Sequence, residues 1–176
     1  PPGRMRVSRR AFAGLTVAAL VSAACMSSPP PPETVIYLVR HAEKQTGDDP
    51  SLTEEGRARA EDLALTLQQA VITHIYSPDT ARTRQTAAPL AAALGLPVEI
   101  YDASDLPAFA RQLTAQRGTF LVVGHSNTTP PLVEELGGDP GTEINESSEF
   151  DRLYVLHIRG DAVRTELRRY GARYRP

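Results

Sequence analysis

The chain has 176 residues, 41% hydrophobic and 23% charged, with a formal charge of −2 and a single cysteine. One cysteine excludes a disulfide framework, and the absence of a basic run argues against a nucleic-acid partner. Composition divides the chain: residues 1–32 carry four arginines and no acid, while the remaining 144 residues carry all 21 acidic residues and 15 of the basic ones, a formal charge of −6. A globular part of that size buries roughly two thirds of its unfolded surface and needs no disulfide or metal staple.

Residues 1–25 are expected to be an export signal. Arg4, Arg6, Arg9 and Arg10 form a basic n-region, and Ala11 to Ala24 is a 14-residue run of small and apolar residues, too short to span a bilayer as a mature helix. Ser8-Arg9-Arg10-Ala11-Phe12 resembles a twin-arginine export motif, with Met5 the expected start. Val21-Ser22-Ala23-Ala24-Cys25 resembles a bacterial lipoprotein cleavage site, except that Ser22 stands where leucine is usual. Lipidation of Cys25 would then be the sole membrane attachment; ordinary signal cleavage nearby is the alternative. Residues 26–33, with four consecutive prolines, form a stiff linker. The expected location is the periplasm or cell envelope.

From residue 34 the pattern alternates. A buried first strand is predicted over 34–40, then a helix over about 53–70 capped by Thr53, with Glu54 and Glu55 suiting its positive end. A second strand over 72–76 leads to a helix over about 79–94 that stops at Gly95. A third strand over 97–101, a third helix over about 105–116 and a fourth strand over 119–124 follow. The fourth helix starts near Thr129, with Pro130 and Pro131 in its first turn, and stops at Gly137-Gly138. Strands over 152–158 and 162–169 flank Arg159-Gly160-Asp161 as a closing hairpin. Alternation of this kind predicts an α/β fold: three α/β/α layers, a mainly parallel central sheet and a C-terminal β-hairpin over residues 34–176. An antiparallel first hairpin strand would bring the polar loop 145–151 to the carboxyl edge of the sheet.

That edge is where open α/β sheets place their ligands, and three loops meet there. They are Arg40-His41-Ala42-Glu43-Lys44, Ser77 through Thr86, and Gly124-His125-Ser126-Asn127. Two imidazoles and two or three guanidiniums suit a phosphoryl group, because arginine pairs bidentately with phosphate oxygens and a neutral imidazole can carry phosphorus covalently. Arg84 should point to another helix face, solvated. His74 and His157 lie outside any motif and are expected to be structural. Asp48 and Asp49 lie in a polar loop, either solvated or against substrate.

These motifs resemble the histidine phosphatase superfamily, which includes the cofactor-dependent phosphoglycerate mutases. Arg40-His41-Ala42-Glu43 is similar to its Arg-His-Gly signature, Ser77 through Thr86 to its second-arginine motif and Gly124-His125-Ser126 to its second-histidine motif. The resemblance spans about 34–169, and the compact size is most similar to the short phosphohistidine-phosphatase-like branch. It implies that His41 is the nucleophile, that Arg40, Arg82 and His125 clamp the phosphoryl oxygens with Asn127 beside them, and that neither metal nor cofactor is needed. The activity implied is that of an acid-type histidine phosphatase acting on a small phosphorylated substrate. The family's glutamate general acid after the third strand is missing. Asp105, and less readily Asp102, could replace it, and either could instead cap the third helix. Ala42 replaces the usual glycine. The alternatives are a phosphoglycerate mutase-like transfer, against which the missing glutamate and short length argue, and a non-catalytic phosphate-binding module.

Overall fold

A computed structural model describes Gly3 and residues 32–176. The export signal, Cys25 and most of the proline linker expected from the sequence lie outside the described residues.

Six strands and four helices alternate as predicted: β1 Thr34–Arg40, α1 Glu54–Leu67, β2 His74–Ser77, α2 Ala81–Leu94, β3 Val98–Ile100, α3 Leu106–Ala115, β4 Thr119–Gly124, α4 Thr129–Glu135, β5 Arg152–Arg159 and β6 Ala162–Arg169. They form one sheet of order β3-β2-β4-β1-β5-β6. β1, β2, β3 and β4 are mutually parallel, while β5 is antiparallel to β1 and β6 to β5.

Strict alternation of side chains explains the three layers. Ile36, Leu38, Phe120, Val122, Tyr154 and Leu156 pack on one face against Phe109 and Leu113 of α3 and Leu132 and Val133 of α4. Val39, Leu121, Val123, Leu153 and Val155 pack on the other against Leu63 and Leu67 of α1 and Leu90 and Ala91 of α2. Strands buried on both faces carry near-continuous apolar runs, as β1 does over 35–39 and β4 over 120–123.

The element boundaries shift slightly from the sequence reading. α1 stops at Leu67, where a turn closes from Ala70 N–H to the Leu67 carbonyl, and Val71 takes φ 50°. β2 therefore starts at His74 rather than at residue 72, with the His74 ring stacked on Tyr76. α2 begins at Ala81, because Pro78 to Thr80 form a turn in which Thr80 N–H donates to the Pro78 carbonyl. Gly95 ends the helix at φ 65°, a left-handed conformation that glycine adopts without a Cβ penalty.

Register sets the site. Arg40 pairs with Gly124 at the ends of β1 and β4, and His41 N–H donates to the Gly124 carbonyl at 2.8 Å. The two histidines thus leave adjacent parallel strands side by side. Because β5 runs the other way, the loop before it returns to this same edge, as expected from the hairpin.

Candidate active site

His41 is buried, and its ring stands edge-on to that of His125 with centroids 5.5 Å apart. Its Nδ1 is 2.7 Å from the Ala42 carbonyl. A carbonyl can only accept, so Nδ1 carries the proton and Nε2 keeps the free lone pair. Burial, then the charges of Arg40, His125 and Arg82, push the His41 imidazole down to about 3 despite the Ala42 carbonyl, which favours the cation. Burial followed by Arg82 and Arg40 pushes His125 down to about 4. Both rings are neutral bases at neutral pH.

The two arginines are held differently. Arg40 is 4% exposed. One terminal nitrogen donates to the carbonyls of Glu149 at 3.0 Å and Asn145 at 3.4 Å, the other to the Glu146 carbonyl at 2.6 Å. Its guanidinium carbon lies 4.0 Å above the Phe150 ring, a cation–π contact. Burial lowers its pKa to about 10, opposed by the charges of Glu146, Glu43 and Glu149. Arg82 has one loose partner, Asp49, at 3.7 Å. In both arginines Nε is buried with no protein partner. Buried donors are rarely left unpaired, so two orphaned N–H groups flanking two neutral imidazoles mark a place for an acceptor-rich group.

Local packing fixes these side chains. Ala42 is fully buried with Leu52 and Ala60, and its N–H donates to Thr86 Oγ1 at 2.9 Å, tying the first loop to α2. A Cβ on Gly124 would sit 2.7 Å from Thr129 Oγ1, so only glycine lets α4 approach the end of β4. Thr128 Oγ1 accepts from His125 N–H at 2.9 Å. Asn127 is exposed and lines an open cavity of about 430 Å³ with Ser126, Pro130, Pro131 and Glu143.

Of the sequence candidates, Arg40, His41, Arg82 and His125 come together, while Asn127 lines a cavity that none of these four borders. Arg84 is half-exposed and pairs with Asp79, as expected of a solvated arginine. Asp49 accepts from Ala81 N–H at 2.9 Å, so it caps α2 as well as facing Arg82. Asp105 caps α3 through Ala108 N–H at 3.0 Å, and Asp102 is hydrogen-bonded to Ser104. His157 faces Glu33 and Glu166 away from this loop cluster. Sequence reasoning did not single out Phe150, the carbonyls at 145–149, or Glu43, whose carboxylate is gripped by Arg59 at 2.8–2.9 Å. Only the polar run before β5 signalled the first two.

The molecule is thus an α/β/α protein whose parallel β1–β4 pair presents two histidines and an arginine at its carboxyl edge, with Arg82 of α2 beside them. Residues 36–103 match the model of the histidine phosphatase superfamily, branch 1. That match and the solved structures of the same fold support the histidine phosphatase superfamily. The chain is similar to a candidate phosphohistidine phosphatase SixA from Agrobacterium tumefaciens at 25% identity and TM-score 0.58, covering 79% of this chain and 98% of that one. A candidate SixA from Nakamurella multipartitia is similar at 21% identity and TM-score 0.56, covering 82% and 98%. A phosphoserine phosphatase from Entamoeba histolytica is similar in fold at 14% identity and TM-score 0.55, covering 78% and 96%. No curated protein matches the chain. The family supports a phosphatase reading at the level of reaction class.

Proposed function

We propose that this protein is an acid-type histidine phosphatase that hydrolyses a phosphate monoester or a similar small phosphoryl compound through a phosphohistidine on His41. The observation that carries the reading is the His41 ring: neutral, with its proton held on Nδ1 by the Ala42 carbonyl, beside His125 and two orphaned arginine Nε–H groups. His41 Nε2 donates its lone pair to phosphorus, the bond from phosphorus to the leaving oxygen breaks, and that oxygen takes up a proton. Arg40, Arg82 and His125 bind the non-bridging oxygens, and their cationic charge offsets that of the transferring group. Water then attacks phosphorus, the N–P bond breaks and inorganic phosphate leaves. The reaction needs no metal, because the guanidiniums supply the charge. Asn127 contacts the rest of the substrate from the cavity it lines.

Asp105 is the proton donor in this reading. One of its oxygens is engaged at the α3 cap, so it is a weak substitute for a dedicated acid, and good leaving groups are favoured. The N-terminal arginine-rich and apolar segment supports export, with Cys25 as lipid anchor. That location makes sugar phosphates, cell-envelope phosphates or scavenged esters the reachable substrates.

The test is hydrolysis of para-nitrophenyl phosphate with chelator present, beside His41→Ala. Chelator-resistant turnover that falls by at least about a thousandfold in the variant is expected, since a covalent nucleophile is lost. Retained turnover in the variant would refute the phosphohistidine route. Absence of turnover in both, with acetyl phosphate and phosphohistidine also tried, would leave a phosphate-binding module.

A further inference from the structure

Arg40 sits among carboxylates yet touches none. Its terminal nitrogens end on three backbone carbonyls, and among the described residues no carboxylate lies within ion-pair distance of it. The charges of Glu146, Glu43 and Glu149 all act on its guanidinium, and of these Glu149 also lends Arg40 its backbone carbonyl at 3.0 Å. The Glu149 carboxylate is 3% exposed and fully engaged elsewhere. One oxygen accepts from Arg152 Nε at 2.6 Å and Arg169 at 2.8 Å, the other from Arg152 Nη2 at 3.1 Å and the Asn145 N–H at 2.9 Å. Burial raises this carboxyl, but Arg152, the Asn145 amide and Arg169 outweigh it and leave it at about 2.

Arg152, itself 4% exposed, does more than hold Glu149. It donates to the Thr142 carbonyl at 2.5 Å, Thr142 Oγ1 at 3.0 Å and the Glu143 carbonyl at 3.0 Å, which pins the far end of the same loop. Tyr154 Oη accepts from it at 3.0 Å and donates to the Pro140 carbonyl at 2.8 Å. All five Arg152 donor directions are thereby used on the segment from Pro140 to Glu149 and on the strand beneath it.

We propose that Arg152 is a positioning residue for the phosphate clamp: by sequestering the Glu149 carboxylate it makes the 145–149 turn present only carbonyls to Arg40. Carbonyls orient a guanidinium without cancelling its charge, whereas a carboxylate would compete with the phosphoryl group for it. The inference rests on the phosphatase reading for its consequence, since the charge so preserved is the one that meets phosphate.

The test compares the purified protein with Arg152→Met, Arg152→Lys and the double variant Arg152→Met/Glu149→Gln. Methionine removes two of the four hydrogen bonds on the Glu149 carboxylate, leaving those from Arg169 and the Asn145 N–H. Its charge is then less neutralised beside Arg40, and the inhibition constant of inorganic phosphate and KM for para-nitrophenyl phosphate should rise at least about tenfold, with kcat less affected. Lysine keeps a cation on Glu149 and should stay within about threefold of the parent. The double variant removes the competing charge and should likewise recover to within about threefold. A role confined to folding predicts no such recovery. An unchanged phosphate constant in Arg152→Met, or a folded double variant that stays weakened, overturns the proposal. If Arg152→Met does not fold, the double variant, which buries no unpaired carboxylate, decides alone. If the parent binds no phosphate, the phosphatase reading fails by itself. A crystal structure of Arg152→Met, or of the double variant beside it, then judges the proposal: Arg40 paired with Glu149 supports it, and Arg40 still on carbonyls overturns it.

Discussion

At the scale of single residues, the chemistry depends on which groups are left unsatisfied. The Nε–H groups of Arg40 and Arg82 are buried without a partner while the other polar contacts of Arg40 are made. Such donors cost stability unless a ligand accepts them. The proposed proton donor is the opposite case, because Asp105 spends an oxygen on the Ala108 amide. Asn caps a helix about as well as Asp, so Asp105→Asn separates the two roles. We expect turnover of an alkyl phosphate such as glycerol phosphate to fall by about tenfold or more, and that of acetyl phosphate to stay within about twofold, because only the poor leaving group needs a proton in the transition state. Equal effects on both substrates would remove Asp105 from the mechanism. The sequence placed at one edge the four central residues that the structure brings together: Arg40 ends β1, His41 and His125 follow β1 and β4, and Arg82 lies in the first turn of α2. It did not reveal that Arg40 is clamped by carbonyls 105 to 109 positions away, because nothing local marks a backbone oxygen as an arginine acceptor.

At the scale of elements, the loop that carries His41 is held by the helix that follows it. Thr53 caps α1 through the Gly56 N–H at 3.0 Å, and the Glu43 carbonyl accepts from Thr53 N–H at 3.0 Å. A Cβ built on Gly56 would lie 2.0 Å from the Glu43 carbonyl oxygen, so the first turn of α1 is in direct backbone contact with the loop that carries His41. Gly56→Ala should therefore cost about 1–3 kcal/mol, as overpacking does, even though alanine is the better helix former. Calorimetric melting checks the sign: a variant as stable as the parent, or more so, would show that the loop can move away freely. Glu43 belongs to the same junction. Its carboxylate is held by Arg59, which also reaches the Tyr170 and Ala172 carbonyls at 3.2 and 3.1 Å. The fourth position of the first motif thus fastens the loop to α1 and to the chain after β6, a role invisible in the motif itself.

At the scale of the whole molecule, folding places two neutral histidines beside two guanidiniums, and that arrangement makes stability depend on pH. The folded state holds His41 at about 3 and His125 at about 4, whereas both titrate near 6.5 when unfolded. Between those values the unfolded chain binds more protons, so stability is full above about pH 6.5 and falls as the pH drops toward 4 and 3. His41 contributes at most about 1.4 kcal/mol per pH unit, and the more exposed His125 less. Melting temperature should fall steadily from pH 7 to 5, and His41→Asn should flatten that slope. A slope unchanged in the variant would mean that His41 is not held neutral. The sequence by itself determined the order of elements, the double-sided burial of β1 and β4 and the placing of Arg40, His41, Arg82 and His125 at one edge, because hydrophobic period and turn residues are local signals. It determined as well, through the closing hairpin, that the loop before β5 would return to the site. Only the tertiary structure decided what that loop does there. The carbonyl cradle of Arg40 and the reach of Arg59 to the Tyr170 and Ala172 carbonyls join residues more than a hundred positions apart, and pairing across such distances is settled by packing, which leaves no periodic mark in a sequence.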